Sequence, residues 1–267
     1  MLQFFLSSWR AGFRDRTFLA VFALGVALVA LAYLSASFSP RQPLTVALDV
    51  GLSGFRFSLV LFAIILTQDL VGREIEKRSV VLTLSYPVHR ATYLIGRYLG
   101  VLALTGVAAL LLGLLLWTAV ITLGVHYDQE FRVSLGVPYW ATVFGVWVDV
   151  AVVAAFSLWI ATLSTVPMLA LVLGALFAIA GRAVGAVFDF LEKGAEGQTE
   201  LVVRFGPALD TIRWVLPDLS RLDWRVWPMY GLLPDMQAIM LSLLMALAYC
   251  LAMIGFSVHA FSKREFS

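Results

Sequence analysis

The chain has 267 residues, 61% of them hydrophobic and only 13% charged, with a formal net charge of +2. Soluble domains carry about 25% charged residues, so a soluble globule is excluded, and the apolar, aromatic-rich content excludes disorder. One cysteine, Cys250, rules out a disulfide framework or multi-cysteine metal site, and the absence of asparagine removes any N-glycosylation sequon; what remains is a polytopic helical membrane protein.

In residues 1–16, Leu2, Phe5, Leu6, Trp9 and Phe13 recur at helical spacing, while Gln3, Ser7, Arg10 and Arg14 fall largely on the other side. This predicts a short amphipathic helix lying in the membrane interface, with a plain extension of the first span as the blander reading. A signal peptide is not expected, because no basic region precedes the apolar run and that run is too long.

A bilayer core needs about 20 apolar residues. Six stretches meet or approach that: Thr17–Ser37, Leu52–Val71, Tyr93–Gly124, Tyr139–Leu163, Pro167–Phe188 and Pro234–Phe261. The second is interrupted by Arg56, which we expect near the outer interface with its long side chain snorkelling. With the N-terminus inside, the inner segments hold Arg10, Arg14, Arg16, Arg73, Lys77, Arg78, Arg90, Arg97, Lys263 and Arg264, whereas the short outer segments hold only Arg41, Arg56 and Arg132. The positive-inside rule then puts both termini in the cytoplasm.

The inner loop after span two reads Val71-Gly-Arg-Glu-Ile-Glu-Lys-Arg-Ser-Val-Val-Leu-Thr-Leu-Ser-Tyr-Pro87, then Val88-His-Arg-Ala-Thr-Tyr-Leu-Ile-Gly-Arg97. Ile75, Ser79 and Leu82 share one face of a short helix that Pro87 should end. Two readings fit: a helix across the cytoplasmic mouth that docks a soluble partner, or a basic loop that fixes topology. The pattern Glu76-x-x-Ser79, Leu82-x-Leu84-Ser-Tyr-Pro87-x-x-Arg90 and Leu94-Ile-Gly96-Arg97 resembles the ABC-2 family of ABC transporter permeases. That family shows Glu-x-x-Gly-Thr, a run of leucines, Pro, a basic residue and Gly-Lys at the head of the third helix. Here Arg78-Ser79 replaces Gly-Thr and Arg97 replaces Lys, which keeps the hydroxyl and the charge. The stretch Val215-Leu-Pro-Asp-Leu-Ser-Arg-Leu-Asp-Trp-Arg225 is similar to the Leu-Pro-Asn-Leu segment before the family's last span, with Asp218 in place of Asn.

The resemblance covers essentially the whole chain. It implies one all-α transmembrane domain over 1–267: an interfacial helix (1–16), six spans, a cytoplasmic coupling loop (72–92) and an outer segment (189–233). In that outer segment Leu201, Phe205, Leu209, Ile212 and Leu216 recur at near-helical spacing, which predicts short outer helices, with Trp214, Trp224 and Trp227 at headgroup depth. The region that meets the ATPase in the family maps onto Glu74, Glu76, Lys77, Arg78, Ser79, Pro87 and Arg90.

No Gly-x-x-x-x-Gly-Lys-Ser/Thr loop and no His-Glu-x-x-His are present, and His89, His126 and His259 are far apart. No catalytic residues, cofactor or metal site is expected in this chain, and no nucleic-acid binding. The resemblance instead implies ABC ATPase subunits that bind ATP and Mg, and a second permease subunit (a copy or a related chain). It further implies an exporter in a bacterial inner membrane. A non-transporting membrane scaffold for an ATPase is the alternative.

Two ionisable residues fall well inside predicted spans, Asp149 in span four and Arg182 in span five. Such residues are costly in hydrocarbon and face a partner or a cavity. Counted at about 1.5 Å per residue, they lie roughly 15 and 9 Å from the outer ends. We expect them to pair across neighbouring helices, with a polar path through Asp149 as the functional alternative. Cys250 and the methionines of span six (Met236, Met240, Met245 and Met253) are expected to be packing residues.

Overall fold

The computed structural model describes residues 5–9, 12, 16–39, 41–76, 89–123, 133–164, 166–193 and 216–263. Among the described residues the chain is helical, without strands. Six long helices carry the fold: α1 (Arg16–Ser37), α2 (Pro43–Thr67), α3 (Arg90–Thr122), α4 (Val137–Leu163), α5 (Pro167–Lys193) and α6 (Met236–Lys263). All six are apolar and long enough to cross a membrane, so the protein is an all-α polytopic membrane protein. With an even number of crossings, both ends of the bundle's chain lie on one face, called here the terminal face.

α2 starts at Pro43, well before the expected Leu52. Proline suits the first helical turn because its missing N–H has no intrahelical acceptor there. α2 continues through a π-helical turn (Gln68–Gly72) into one further α-turn, Arg73–Glu76. The helical path from Pro43 to Glu76 is therefore unbroken. α4 is the most enclosed helix, and its run Val150-Ala-Val-Val-Ala-Ala155 is buried throughout, since small side chains let helices approach without a water-driven hydrophobic force. α6 leaves most of its surface open, as expected of a helix facing lipid.

The expected short outer helices are present: a 3₁₀ turn at Leu219–Leu222, capped by the Asp218 side chain, and an α-turn at Val226–Tyr230. Gly231 closes the latter at φ +70°, a conformation that favours glycine. Together these residues form a cap. Leu219, Leu222 and Trp224 are buried among α4, α5 and α6. Trp224 is thus part of the core. Its indole packs where Gly145 of α4 has no side chain, and its Nε1 donates to the Arg221 carbonyl at 2.9 Å. Trp214 and the periodic residues Leu201 to Ile212 lie outside the described residues.

The cap reaches the bundle at backbone distance. A Cβ on Gly145 would lie 2.6 Å from the Leu222 carbonyl oxygen, and one on Gly181 of α5 would lie 3.1 Å from that of Pro217. Gly145→Ala should therefore lower stability by about 1–3 kcal/mol, the usual range for overpacking. Gly255→Ala on the open face of α6, with nothing within 4 Å, should be neutral or stabilising. Thermal unfolding of the detergent-solubilised variants checks both.

Candidate functional site: two charged ends of one bundle

On the face opposite the termini, six charged residues from four elements converge. Asp49, Ser53 and Arg56 recur at helical spacing on one face of α2. Arg56 Nη2 pairs with Asp149 Oδ2 of α4, and the two side chains are 6% and 1% exposed. Arg56 Nη1 also lies 3.7 Å from Asp223 Oδ2 of the cap. That same oxygen takes Arg182 Nη2 of α5. Arg225 holds Asp223 Oδ1 through Nε at 2.9 Å, then extends Nη1 to Asp49 (2.7 Å) and Ser53 (2.9 Å) on α2. Three arginines meet three aspartates, so the cluster is neutral.

This corrects two expectations. Arg56 does not snorkel at the outer interface, because the helix around it runs on to Pro43 and leaves it enclosed. Arg182 does not pair with Asp149, because Arg56 occupies that carboxylate and the cap presents Asp223 to Arg182 instead. The sequence signal for Asp223 was slight: it sits outside the spans, among other acids of a long segment.

Electrostatics agree with the geometry. Burial pushes the Asp223 carboxyl up, but Arg225 and then Arg182 outweigh it and hold it below the usual carboxylate range. Burial likewise pushes the Arg225 guanidinium down, and Asp223 and Asp49 outweigh it in the opposite direction.

On the terminal face, a second cluster fixes the α-turn that follows α2 and its π turn. Arg97 of α3, 8% exposed, pairs through Nη2 with Glu74, which is 28% exposed. Tyr93 donates its hydroxyl to the other Glu74 oxygen. Arg97 Nη1 reaches Ser8 Oγ (3.0 Å) and Ser7 Oγ (3.3 Å) in the helical residues 5–9. Gly100 makes this approach possible, since a Cβ there would lie 2.5 Å from the Ser8 Cβ. One guanidinium therefore joins the N-terminal helical residues, α3 and the turn that follows α2. Nearby, Asp69 takes Arg73 at 2.9 Å and Thr17 at 3.4 Å. The Gln68 amide is buried without a hydrogen-bond partner and folds over Gly72 in the π turn. An unpartnered buried amide is costly, and π turns interrupt regular helix where function requires it.

Of the sequence-predicted coupling residues, Glu74 lies at this junction with its carboxylate turned to Arg97. Arg90 is at the start of α3, where Nη1 donates to the carbonyls of Phe261 (2.9 Å) and Ser262 (3.0 Å), the last turn of α6. Its guanidinium also lies over the Phe261 ring, a favourable place for a cation near helix-end carbonyls. Glu76 ends the α-turn; Lys77, Arg78, Ser79 and Pro87 lie outside the described residues. Arg97 itself was not among the predicted contacts, although Gly96-Arg97 stood in the motif. Among the described residues no group of three or more His, Cys, Asp or Glu side chains could hold a metal ion. Cys250 is half-buried against the Tyr98 hydroxyl at 3.4 Å.

Removing one partner of the deep pair strands a buried charge. Asp149→Asn or Arg56→Met should cost about 3–5 kcal/mol, while the double change Arg56→Met/Asp149→Leu should cost much less than the two losses added. Chemical or thermal unfolding in detergent reads the difference. Asp223 adds a pH dependence. Its folded value lies below that of the unfolded chain, so its stabilisation is full at neutral pH and disappears as pH falls below about 4. A Tm-versus-pH curve should drop there in the wild type and be flatter in Asp223→Asn.

No curated protein matches the chain. The sequence profile of the ABC-2 family transporter proteins matches residues 6–266, which includes all six spans and the cap. That match shows that the chain belongs to the ABC-2 family of transporter membrane proteins.

Proposed function

We propose that the chain is the permease subunit of an ATP-driven exporter. It forms the translocation path with a second permease subunit and docks separate ATPase subunits at the terminal face. On this reading the whole chain is one transmembrane domain, that face is cytoplasmic, and the membrane is a bacterial inner membrane. ATP and Mg bind to the partner subunits, because the sequence has no phosphate-binding loop to hold them.

The observation that carries this reading is the Arg97 junction. A loop that only fixes topology needs positive charge but no particular anchorage. Here the first turn after α2 is tied through Glu74 to α3 and the N-terminal helical residues, and Arg90 ties the start of α3 to the end of α6. A displacement of the segment Gly72–Arg90 by closing ATPase subunits is therefore delivered to several helices together. The mechanism is conformational, as befits a chain that moves cargo without reacting with it. A scaffold that only anchors an ATPase has no need of such a linkage into the spans.

Co-expression with an ABC ATPase subunit tests the proposal. The subunit should co-purify with the chain, and its ATPase rate should depend on the permease. Arg97→Gln should reduce that permease-dependent rate about tenfold with the subunit still bound, equivalent to losing one charge-assisted hydrogen bond of roughly 1.5 kcal/mol. Absence of any bound ATPase subunit would sink the reading, and an unchanged rate in Arg97→Gln would sink the linkage.

A further inference from the structure

The charge cluster on the face opposite the termini divides into a part that must stay together and a part that can separate. The Arg56–Asp149 pair is almost wholly enclosed, with side chains 6% and 1% exposed. Asp223 of the cap keeps two close partners, Arg182 and Arg225. The remaining ties between the cap and α2 are of another kind. Arg225 reaches Asp49, whose side chain is 54% exposed, and the hydroxyl of Ser53, while Arg56 reaches Asp223 only at 3.7 Å.

The packing shows the same division. The cap is set against α4 and α5 at Gly145 and Gly181, where side-chain-free backbone admits its carbonyls. Toward α2 the described hydrogen bonds and ion pairs all start from Asp223 and Arg225. The outer half of α2 packs closely on α1 instead, where Gly54 admits Leu28. At its other end α2 runs through the π turn into the coupling segment.

We infer that Arg225 and Asp223 form a breakable ionic clasp between the cap and the outer half of α2, and that this seam is where the bundle opens on the face opposite the termini. Arg56–Asp149 is the pivot. When the outer half of α2 swings away, three polar contacts are lost: Arg225–Asp49, Arg225–Ser53 and the long Arg56–Asp223 approach. Afterwards Arg56 still has Asp149, Asp223 still has Arg182 and Arg225, and Asp49 meets water. The opening separates the −1 of Asp49 from the net +1 of Asp223 with Arg182 and Arg225, and both arginines are partly exposed (33% and 19%), so no wholly buried charge is stranded. Ion pairs with exposed partners contribute little, so the clasp holds a resting state without locking it. Lifting the whole cap would instead pull Leu219 and Leu222 out of the core.

The inference rests on the proposed coupling to ATPase subunits for the force that opens the seam, and the test separates the two. In a Cys250→Ser background that keeps Asp49 and Arg225, Val50→Cys and Val226→Cys beside them are treated with a bifunctional maleimide in the complex of chain and ATPase subunits in lipid nanodiscs. Cross-linking should be efficient without nucleotide and fall several-fold with a non-hydrolysable ATP analogue. Equal yields in both conditions, with the ATPase subunits bound, would overturn the moving seam while leaving the permease reading intact. If no ATPase subunit binds, the permease reading fails, and the clasp is judged on the chain alone. There, Asp49→Asn and Arg225→Gln should each lower Tm, and the double variant should lose less than the sum of the two shifts. Additive shifts would overturn the clasp.

Discussion

A charge inside a membrane bundle has to find its opposite, and the Arg56–Asp149 pair is where this protein meets that constraint. Either charge alone would be costly in hydrocarbon. Their meeting holds the middle of α2 against the middle of α4, the most enclosed helix. It also fixes the rotation of α2 about its axis, which aims Asp49 and Ser53 at the cap, since all three residues share one helical face. The arrangement of the cap follows, because Arg225 and Asp223 fit only where α2, α4 and α5 present their charges together.

The two ends of the bundle use arginine in the same way, as a planar donor that bridges several acceptors at once. Arg97 ties Glu74, Ser7 and Ser8; Arg225 ties Asp223, Asp49 and Ser53. Between these polar ends the spans pack through glycines and alanines and expose apolar surface on α1, α5 and α6. Without a hydrophobic force between helices in lipid, close packing and polar ties decide which helices move as one body. α2 is the one helix shown to take part in both clusters, through Glu74 in its C-terminal extension and Asp49, Ser53 and Arg56 in its outer half. α2 therefore runs from one cluster to the other.

Much of this was legible in the residues. Continuous apolar runs gave the six spans, and the coupling motif with its Gly96-Arg97 pair gave the family. Short helices do precede α6, but the periodic residues Leu201 to Ile212 that suggested them lie outside the described residues. The misplacements share one cause. Reading Arg56 as an interfacial residue followed from starting the second span at Leu52, whereas the helix runs back to Pro43. Pairing Asp149 with Arg182 followed from the neighbouring positions of spans four and five. Sequence adjacency could not reveal that α2 comes between Asp149 and any other cation.

By itself the sequence determined the environment, the number of helices and the family, because these depend on local runs of side chains and on short-range motifs. Only the tertiary structure decided which charges pair. Hydropathy says that a buried ion needs a partner, but not which one. That choice depends on helix rotation, on where glycines permit close approach, and on distances between residues well over a hundred positions apart, such as Asp49 and Arg225.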